Sequence, residues 1–351
     1  MECVKTVVFT GGHHTSALVV AKALQAKGWR IVWFGHRHSM WGDKSDSAEY
    51  LEVTAAEIPF YDLKAGKFHR THHPLKLIRI PLGFLQAFWW LIKIRPTGIV
   101  SFGGYLAVPT VIMGWVLGIP SITHEQTCVA GWANKAIVPF VKKIAVSWPS
   151  SLNLYPKNKA VLTGLPLRVE ILKIKQQMVV NGHKSQRMTI YITGGKQGSH
   201  IINEVIFSLL PQLSKKFTII HQTGSVDYNQ ARSYNYPIYS AFEFDSQKAT
   251  AALKAADIVI SRAGAHIVYE LGYLGKKSVL IPNSWYSYPE QESNAKILAH
   301  QKLAIILLQS SLTAESLLDG ISQATNLTGL PMDLPSNATQ LMIQLIESEI
   351  V

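Results

Sequence analysis

VVFTGGHHTSALVV (Val7–Val20) and IYITGGKQGSHIIN (Ile190–Asn203) open the two halves of this 351-residue chain alike: an apolar run, Thr-Gly-Gly, then a helical pattern. A short uninterrupted apolar run suits a strand buried on both faces of a parallel sheet. A glycine pair where strand turns into helix lets backbone N–H groups approach a phosphate at the positive helix end. A repeat at this scale predicts an α/β protein of two Rossmann-like domains in tandem, facing a cleft at the carboxyl ends of their strands.

Outward from these turns the alternation continues. The first half predicts strands over Val4–Phe9, Arg30–Phe34, Gly98–Phe102 and Ser121–Thr123, with helices over Thr15–Lys27 and Val108–Leu117. The second half predicts strands over Arg187–Thr193, Phe217–Gln222, Asp257–Ser261 and Ser278–Ile281, with helices over Ser199–Leu213, Ala265–Leu274 and Glu290–His300. The polar stretch Lys173–Gln186 marks the expected boundary, giving domains over 1–172 and 173–351, with a C-terminal helix able to pack back on the first.

Composition agrees with a globular protein: 48% of residues are hydrophobic and 16% charged. Cys3 and Cys128 offer no disulfide framework, which suits a reducing compartment. Met1–Thr6 leads straight into Val7–Phe9, so no signal peptide is expected. Tyr105–Ile122 is uncharged, but Pro109, Gly114, Gly118 and Pro120 break it, so it reads as a buried helix between strands and not a membrane span. The net charge of +12 asks for an anionic partner. From Lys64 to Arg95 there is no Asp or Glu, and Lys76 and Arg79 flank an apolar patch containing Phe84, Phe88, Trp89 and Trp90. That pattern describes an interfacial membrane helix better than a nucleic-acid groove; the other reading is a core helix with basic ends.

Four glycine turns are candidates for phosphate binding: Gly11-Gly12, Gly103-Gly104, Gly194-Gly195 and Gly264-Ala265. Neither a GxxxxGK[ST] nor a full GxGxxG string occurs, which lowers the case for kinase, ATPase or NAD chemistry. His13 at a helix start is a candidate base, or else a cap or packing residue. His124-Glu125-Gln126 closes a strand at the edge where sites occur. Glu270 is placed to hold a cis-diol, as acidic residues hold ribose, or is a solvated helix residue. No Asp-x-Asp pair lies in a suitable loop and the histidines lack ligand spacing, so no essential metal or cofactor is expected.

Taken together, several strings resemble the MurG-type N-acetylglucosaminyltransferase family. They are TGGHH (Thr10–His14), SFGGYLAVP (Ser101–Pro109), HEQTCVAGWANK (His124–Lys135), TGLPLR (Thr163–Arg168), TGGKQGS (Thr193–Ser199), HQTG (His221–Gly224), SRAGAHIVYE (Ser261–Glu270) and PEQESNA (Pro289–Ala295). The resemblance implies a glycosyltransferase-B fold and inverting transfer of N-acetylglucosamine from UDP-N-acetylglucosamine to lipid I, forming lipid II for peptidoglycan. It implies donor contacts from Arg168, Gly194, Gly195, Lys196, Gln197, Gly264, Ala265, Glu270, Glu290 and Gln291. Gly11, Gly12, Gly103, Gly104, Tyr105 and Asn134 would hold the polyprenyl-diphosphate-linked acceptor, with His13 as general base and Glu125 supporting the site. It further implies peripheral attachment to an anionic membrane at the cytoplasmic face of the inner membrane, through the stretch around Leu75–Ile94, beside other cell-wall enzymes and away from nucleic acid.

The chain departs from the family pattern at Phe9 (usually glycine), Thr127 (asparagine), Lys196 (serine), Ile267 (threonine) and Glu290 (glutamine or histidine). Lys196 is expected to compensate for the hydroxyl lost at Ile267. Three competing readings share the fold: a relative acting on another glycolipid, a UDP-N-acetylglucosamine epimerase or hydrolase, and an inactive scaffold. His13, Glu125, Arg168, Glu270 and Gln291 together argue against the scaffold.

Overall fold

A computed structural model describes residues 4–38, 45–66, 79–181, 187–283 and 290–350, without the side chains of 79 and 178–181. The chain divides into two compact units, Met1–Arg168 with Pro335–Val351, and Val169–Leu334. The polar stretch read as a linker is largely helical (α6, Val169–Asn181), because Ile171 and Ile174 are spaced to bury one face.

Unit 1 is a seven-stranded sheet in the order β3-β2-β1-β4-β5-β6-β7, every pair parallel. Its strands are β1 (Thr6–Thr10), β2 (Arg30–Gly35), β3 (Phe60–Asp62), β4 (Gly98–Ser101), β5 (Ser121–Glu125), β6 (Lys143–Val146) and β7 (Ala160–Leu162). β1 is buried at every position, as a central strand covered on both faces must be. Val7 and Phe9 face α1 (His14–Ala26), which turns Ala17, Val20, Ala21 and Leu24 inward at helical spacing. The C-terminal helix, α13 (Ala338–Ile350), adds Met342, Ile343, Ile346 and Ile350 to the same layer. The Ile350 side chain fills the space a Cβ on Gly98 would need. Val8 and Ile99 face the opposite layer, built on α3 (Arg79–Ile94), α4 (Ala107–Val116) and α5 (Trp132–Ile137).

Phe9, the residue at a usual glycine position, lies inside β1 and not in the turn. It stacks between Trp33 (centroids 5.9 Å apart) and Phe102 (6.2 Å), and Phe102 stacks on His124 (5.1 Å). Four neighbouring strands are thus crossed by one row of near-parallel rings.

In α3 the small residues Gly83 and Ala87, with Leu91, pack inward, while Leu82, Leu85, Trp89 and Ile92 are 40%, 66%, 55% and 45% exposed. Of the aromatics expected to form the membrane patch, Trp89 is on this exposed face. Phe84, Phe88 and Trp90 are half-buried, and Trp90 packs edge-on against Tyr61 at 4.6 Å. Helical spacing explains the split: positions 84, 88 and 90 border the inward face, and 82, 85, 89 and 92 form one outer stripe. Lys76 lies outside the described residues and Arg79 opens the helix. Among the described residues no helix is long and apolar enough to cross a membrane.

Unit 2 is a six-stranded parallel sheet in the order β10-β9-β8-β11-β12-β13. Its strands are β8 (Thr189–Thr193), β9 (Thr218–Gln222), β10 (Tyr239–Phe242), β11 (Ile258–Ser261), β12 (Lys277–Leu280) and β13 (Ala304–Ile306). They alternate with α7 (His200–Lys216), α8 (Tyr228–Ala231), α9 (Ser246–Ala255), α10 (Ala265–Leu274), α11 (Glu290–His300) and α12 (Ala314–Thr325). In both sheets the order reverses beside the first strand, so the glycine turns after β1 and β8 stand at switch points where ligands bind in such folds.

Candidate active site

In unit 1 the turns after β1 and β4 interlock. A Cβ on Gly12 would stand 2.5 Å from the Gly104 nitrogen and 2.6 Å from the Gly103 carbonyl carbon, so both turns must stay side-chain-free there. Gly103 and Gly104 have φ of 73° and 75°, the left-handed region glycine enters at low cost. A Cβ on Gly103 would meet the Asn134 amide nitrogen at 3.6 Å, so α5 borders the same place. Gly11 leans on a half-buried carboxylate: Glu49, in α2 (Ala48–Ala55), occupies the space beside its Cα and accepts from Trp33 Nε1 at 2.7 Å. Burial pushes the Glu49 carboxyl up to about 7, against the weaker pull of the Trp33 hydrogen bond.

His13 stands at the N-cap of α1, half-buried, and its side chain makes no capping bond. Burial holds its imidazole below 6.5; the Glu125 charge opposes this and His14 adds to it. The ring is therefore neutral at neutral pH, as a base must be. His14 pairs with Glu52 at 3.2 Å.

Glu125, at the end of β5, is 3% exposed and fully engaged. Its Oε2 accepts from the Tyr155 hydroxyl (2.7 Å), Asn134 Nδ2 (2.9 Å) and Gly131 N (2.9 Å); its Oε1 accepts from Thr127 Oγ1 (2.8 Å) and Thr127 N (3.2 Å). This carboxylate organises the 126–134 loop. Thr127, a departure from the family pattern, supplies two of its bonds. Asn134 is set by the Thr123 hydroxyl at 2.9 Å as well. His124 donates Nε2–H to the Gly164 carbonyl (3.0 Å), and burial pulls its pKa down to about 4. Tyr105 is half-buried at the start of α4's approach, and Arg168 is half-buried at the last position of the first segment.

In unit 2, Gly194 packs on the Gly198 and Ser199 backbone, whereas a Cβ on Gly195 (φ 88°) or Gly264 would meet nothing within 4 Å. Gly264 has an ordinary φ of −65° at the N-cap of α10. Space, and not backbone strain, is what a glycine there preserves. Lys196 lies over the Phe244 ring at 5.5 Å, and Gln197 is exposed. Ala265 opens α10, and Glu270 is buried within it at 6% exposure, which removes the solvated-helix reading. Gln291 accepts from Asn283 N at 2.9 Å, tying the first turn of α11 to the exit of β12, with Glu290 beside it. Ile267 is half-buried on α10. Sequence reasoning missed Arg262, whose guanidinium reaches Ser199 Oγ (2.8 Å) and the Ile281 carbonyl (3.1 Å), bridging the exits of β8 and β12. Among the described residues no group of His, Cys, Asp and Glu is arranged to hold a metal ion.

Residues 5–146 match the glycosyltransferase family 28 N-terminal domain and residues 189–331 its C-terminal domain. A Bacillus cereus protein named UDP-N-acetylglucosamine–N-acetylmuramyl-(pentapeptide) pyrophosphoryl-undecaprenol N-acetylglucosamine transferase 2 is 33% identical over 333 residues, 91% of each chain. The chain belongs to the MurG family of glycosyltransferases. A Nitrosomonas europaea member is 31% identical over 88% of this chain and 86% of its own. The crystal structure of Acinetobacter baumannii MurG superposes with a TM-score of 0.73 at 26% identity, covering 98% of this chain and 99% of that one. With MurG as a structural neighbour, the two parallel sheets are the two halves of a glycosyltransferase-B fold.

Proposed function

We propose that this chain transfers N-acetylglucosamine from UDP-N-acetylglucosamine to the 4-hydroxyl of lipid I, inverting the anomeric carbon and releasing UDP. The observation that carries this reading is the similarity along 91% of both chains to an enzyme named for that transfer. The glycine turns support it, because each is shaped by close backbone packing or by space kept open.

His13, neutral at working pH, takes the proton of the acceptor hydroxyl as that oxygen bonds to the anomeric carbon and the bond to UDP breaks. Negative charge then grows on the leaving diphosphate. The start of α10 at Gly264 and Ala265, the turn Gly194–Gln197 with Lys196, and Arg168 are assigned to that charge. These groups take the role a divalent cation would otherwise fill. Glu270 is assigned to the ribose hydroxyls, and Glu290 and Gln291 to the sugar. Gly11, Gly12, Gly103, Gly104, Tyr105 and Asn134 are assigned to the acceptor; Glu125 acts as a positioning residue through Asn134. The outer stripe of α3, with Lys93 5.2 Å from the Trp89 ring, is assigned to an anionic membrane surface at the cytoplasmic face, where the acceptor's lipid resides.

The test is UDP release from UDP-N-acetylglucosamine with and without a short-chain lipid I analogue. Release that requires the analogue, gives a disaccharide and is lost in His13→Ala supports the reading. Free sugar released without any acceptor sinks it in favour of an epimerase or hydrolase.

A further inference from the structure

The string HQTG has no part in the chemistry above, yet its glutamine is among the most constrained polar side chains of unit 2. Gln222 closes β9, directly opposite Thr193 on β8, and is 2% exposed. Its Nε2 donates to the Gly195 carbonyl at 2.8 Å, and its Oε1 accepts from the Tyr191 hydroxyl at 2.8 Å. The amide has a single chemically consistent orientation. The Gly195 carbonyl can only accept, so the NH2 must face it and the Tyr191 hydroxyl must donate to the oxygen.

Gly195 is held at both its N–H and its carbonyl. Its carbonyl also accepts from Gly198 N at 2.9 Å, closing the four-residue turn, and its own N–H donates to Thr193 Oγ1 at 3.0 Å. The side of Gly195 where a Cβ would stand is open, and Lys196 and Gln197 form the tip of the turn. The exit of β9 grips this segment a second time. Asp227 accepts from His200 Nδ1 (2.8 Å) and Asn203 Nδ2 (2.6 Å) in the first turn of α7.

We infer that Gln222, backed by Tyr191, is a positioning residue that sets the pose of the Gly195–Gly198 turn for the diphosphate of a nucleoside-diphosphate donor. This rests on the reading of unit 2 as the donor half. Gln222 does not touch substrate; it fixes the direction of one carbonyl, and with it the N–H groups and side chains displayed at the tip. An apolar replacement of equal length leaves the carbonyl with one partner and the turn free to rotate.

The experiment uses the full-length protein and compares UDP with uridine, which lacks the phosphates. UDP is titrated by calorimetry and uridine by saturation-transfer NMR, for wild type, Gln222→Met and Tyr191→Phe. The expected result is an affinity for UDP about tenfold lower in Gln222→Met and about threefold lower in Tyr191→Phe, with uridine unchanged within twofold. In turnover the KM for donor rises by a similar factor, while the KM for acceptor stays in place. UDP affinity within twofold of wild type in both variants overturns the proposal. Equal losses for UDP and uridine also overturn it, because they mark a merely structural role. If Gln222→Met does not fold, Tyr191→Phe decides, since it removes one hydroxyl. Failure of the underlying reading looks different: wild type itself then binds no UDP.

Discussion

Replacing Glu49 by glutamine should stabilise unit 1 at alkaline pH and leave it nearly unchanged in acid. The Glu49 carboxyl packs against Gly11 and Gly35, with Trp33 Nε1 as donor to one oxygen, and desolvation there raises its pKa to about 7 from 4.5. Between those two values the folded protein holds a proton that the unfolded chain has released, so stability falls as pH rises through the window. The contribution is intact below about pH 4.5 and gone above about pH 7. A shift of about 2.5 units corresponds to about 3 kcal/mol at 1.36 kcal/mol per unit. Glutamine keeps an acceptor for Trp33 and carries no charge to desolvate. For a unit of about 185 residues this gap amounts to roughly 6–12 °C in melting temperature. Urea unfolding followed by tryptophan fluorescence suits the test, because of the nine tryptophans all but Trp285 precede Arg168. Taking the difference between variant and wild type at pH 5 and pH 8 cancels the other titrating groups. A difference that is the same at both pH values, or that favours glutamine more in acid, refutes the reasoning.

Other substitutions separate packing from binding. Gly264→Ala meets no atom within 4 Å and no strained φ, so it should melt within about 1 °C of wild type while raising the donor KM at least about tenfold. Gly12→Ala drives a methyl into the Gly103–Gly104 backbone and should lower the stability of unit 1 together with activity, measured by circular dichroism and turnover. Tyr155→Phe removes a 2.7 Å bond to the buried Glu125 carboxylate and should cost about 2 kcal/mol in urea unfolding. Leu85→Glu with Trp89→Glu should abolish sedimentation with anionic vesicles and leave turnover of a water-soluble acceptor analogue within about twofold.

How much of this was legible before the structure depends on what each signal encodes. The glycine turns were readable because a strand, two glycines and a helix form a local pattern, and helix α10 came out with the predicted bounds. Phe9 was legible as a strand residue, because the apolar run Val7–Phe9 ends on it; β1 runs one residue further, through Thr10, since periodicity does not say where a strand stops. The contacts of Gln222 and Arg262 were invisible because their partners, Gly195 and Ser199, are far away in sequence and meet them only through sheet order. Glu125 was marked by its place at a strand end, but the five bonds that occupy it depend on Tyr155, Gly131 and Asn134 arriving from separate segments. Counting aromatics in α3 marked an apolar helix but not its outer stripe, which depends on helical phase.

The return of α13 to the first sheet reverses the order in which the two cores can be completed. Unit 1 precedes unit 2 along the chain, yet Gly98 and the part of the Val7–Phe9 layer that α1 leaves open gain their cover only with Met342–Ile350. Unit 2 has its whole sequence available by Leu334, so the half made second can be the first to close. During that interval the nascent chain exposes the apolar surface that α13 later covers, and chaperone engagement should concentrate there.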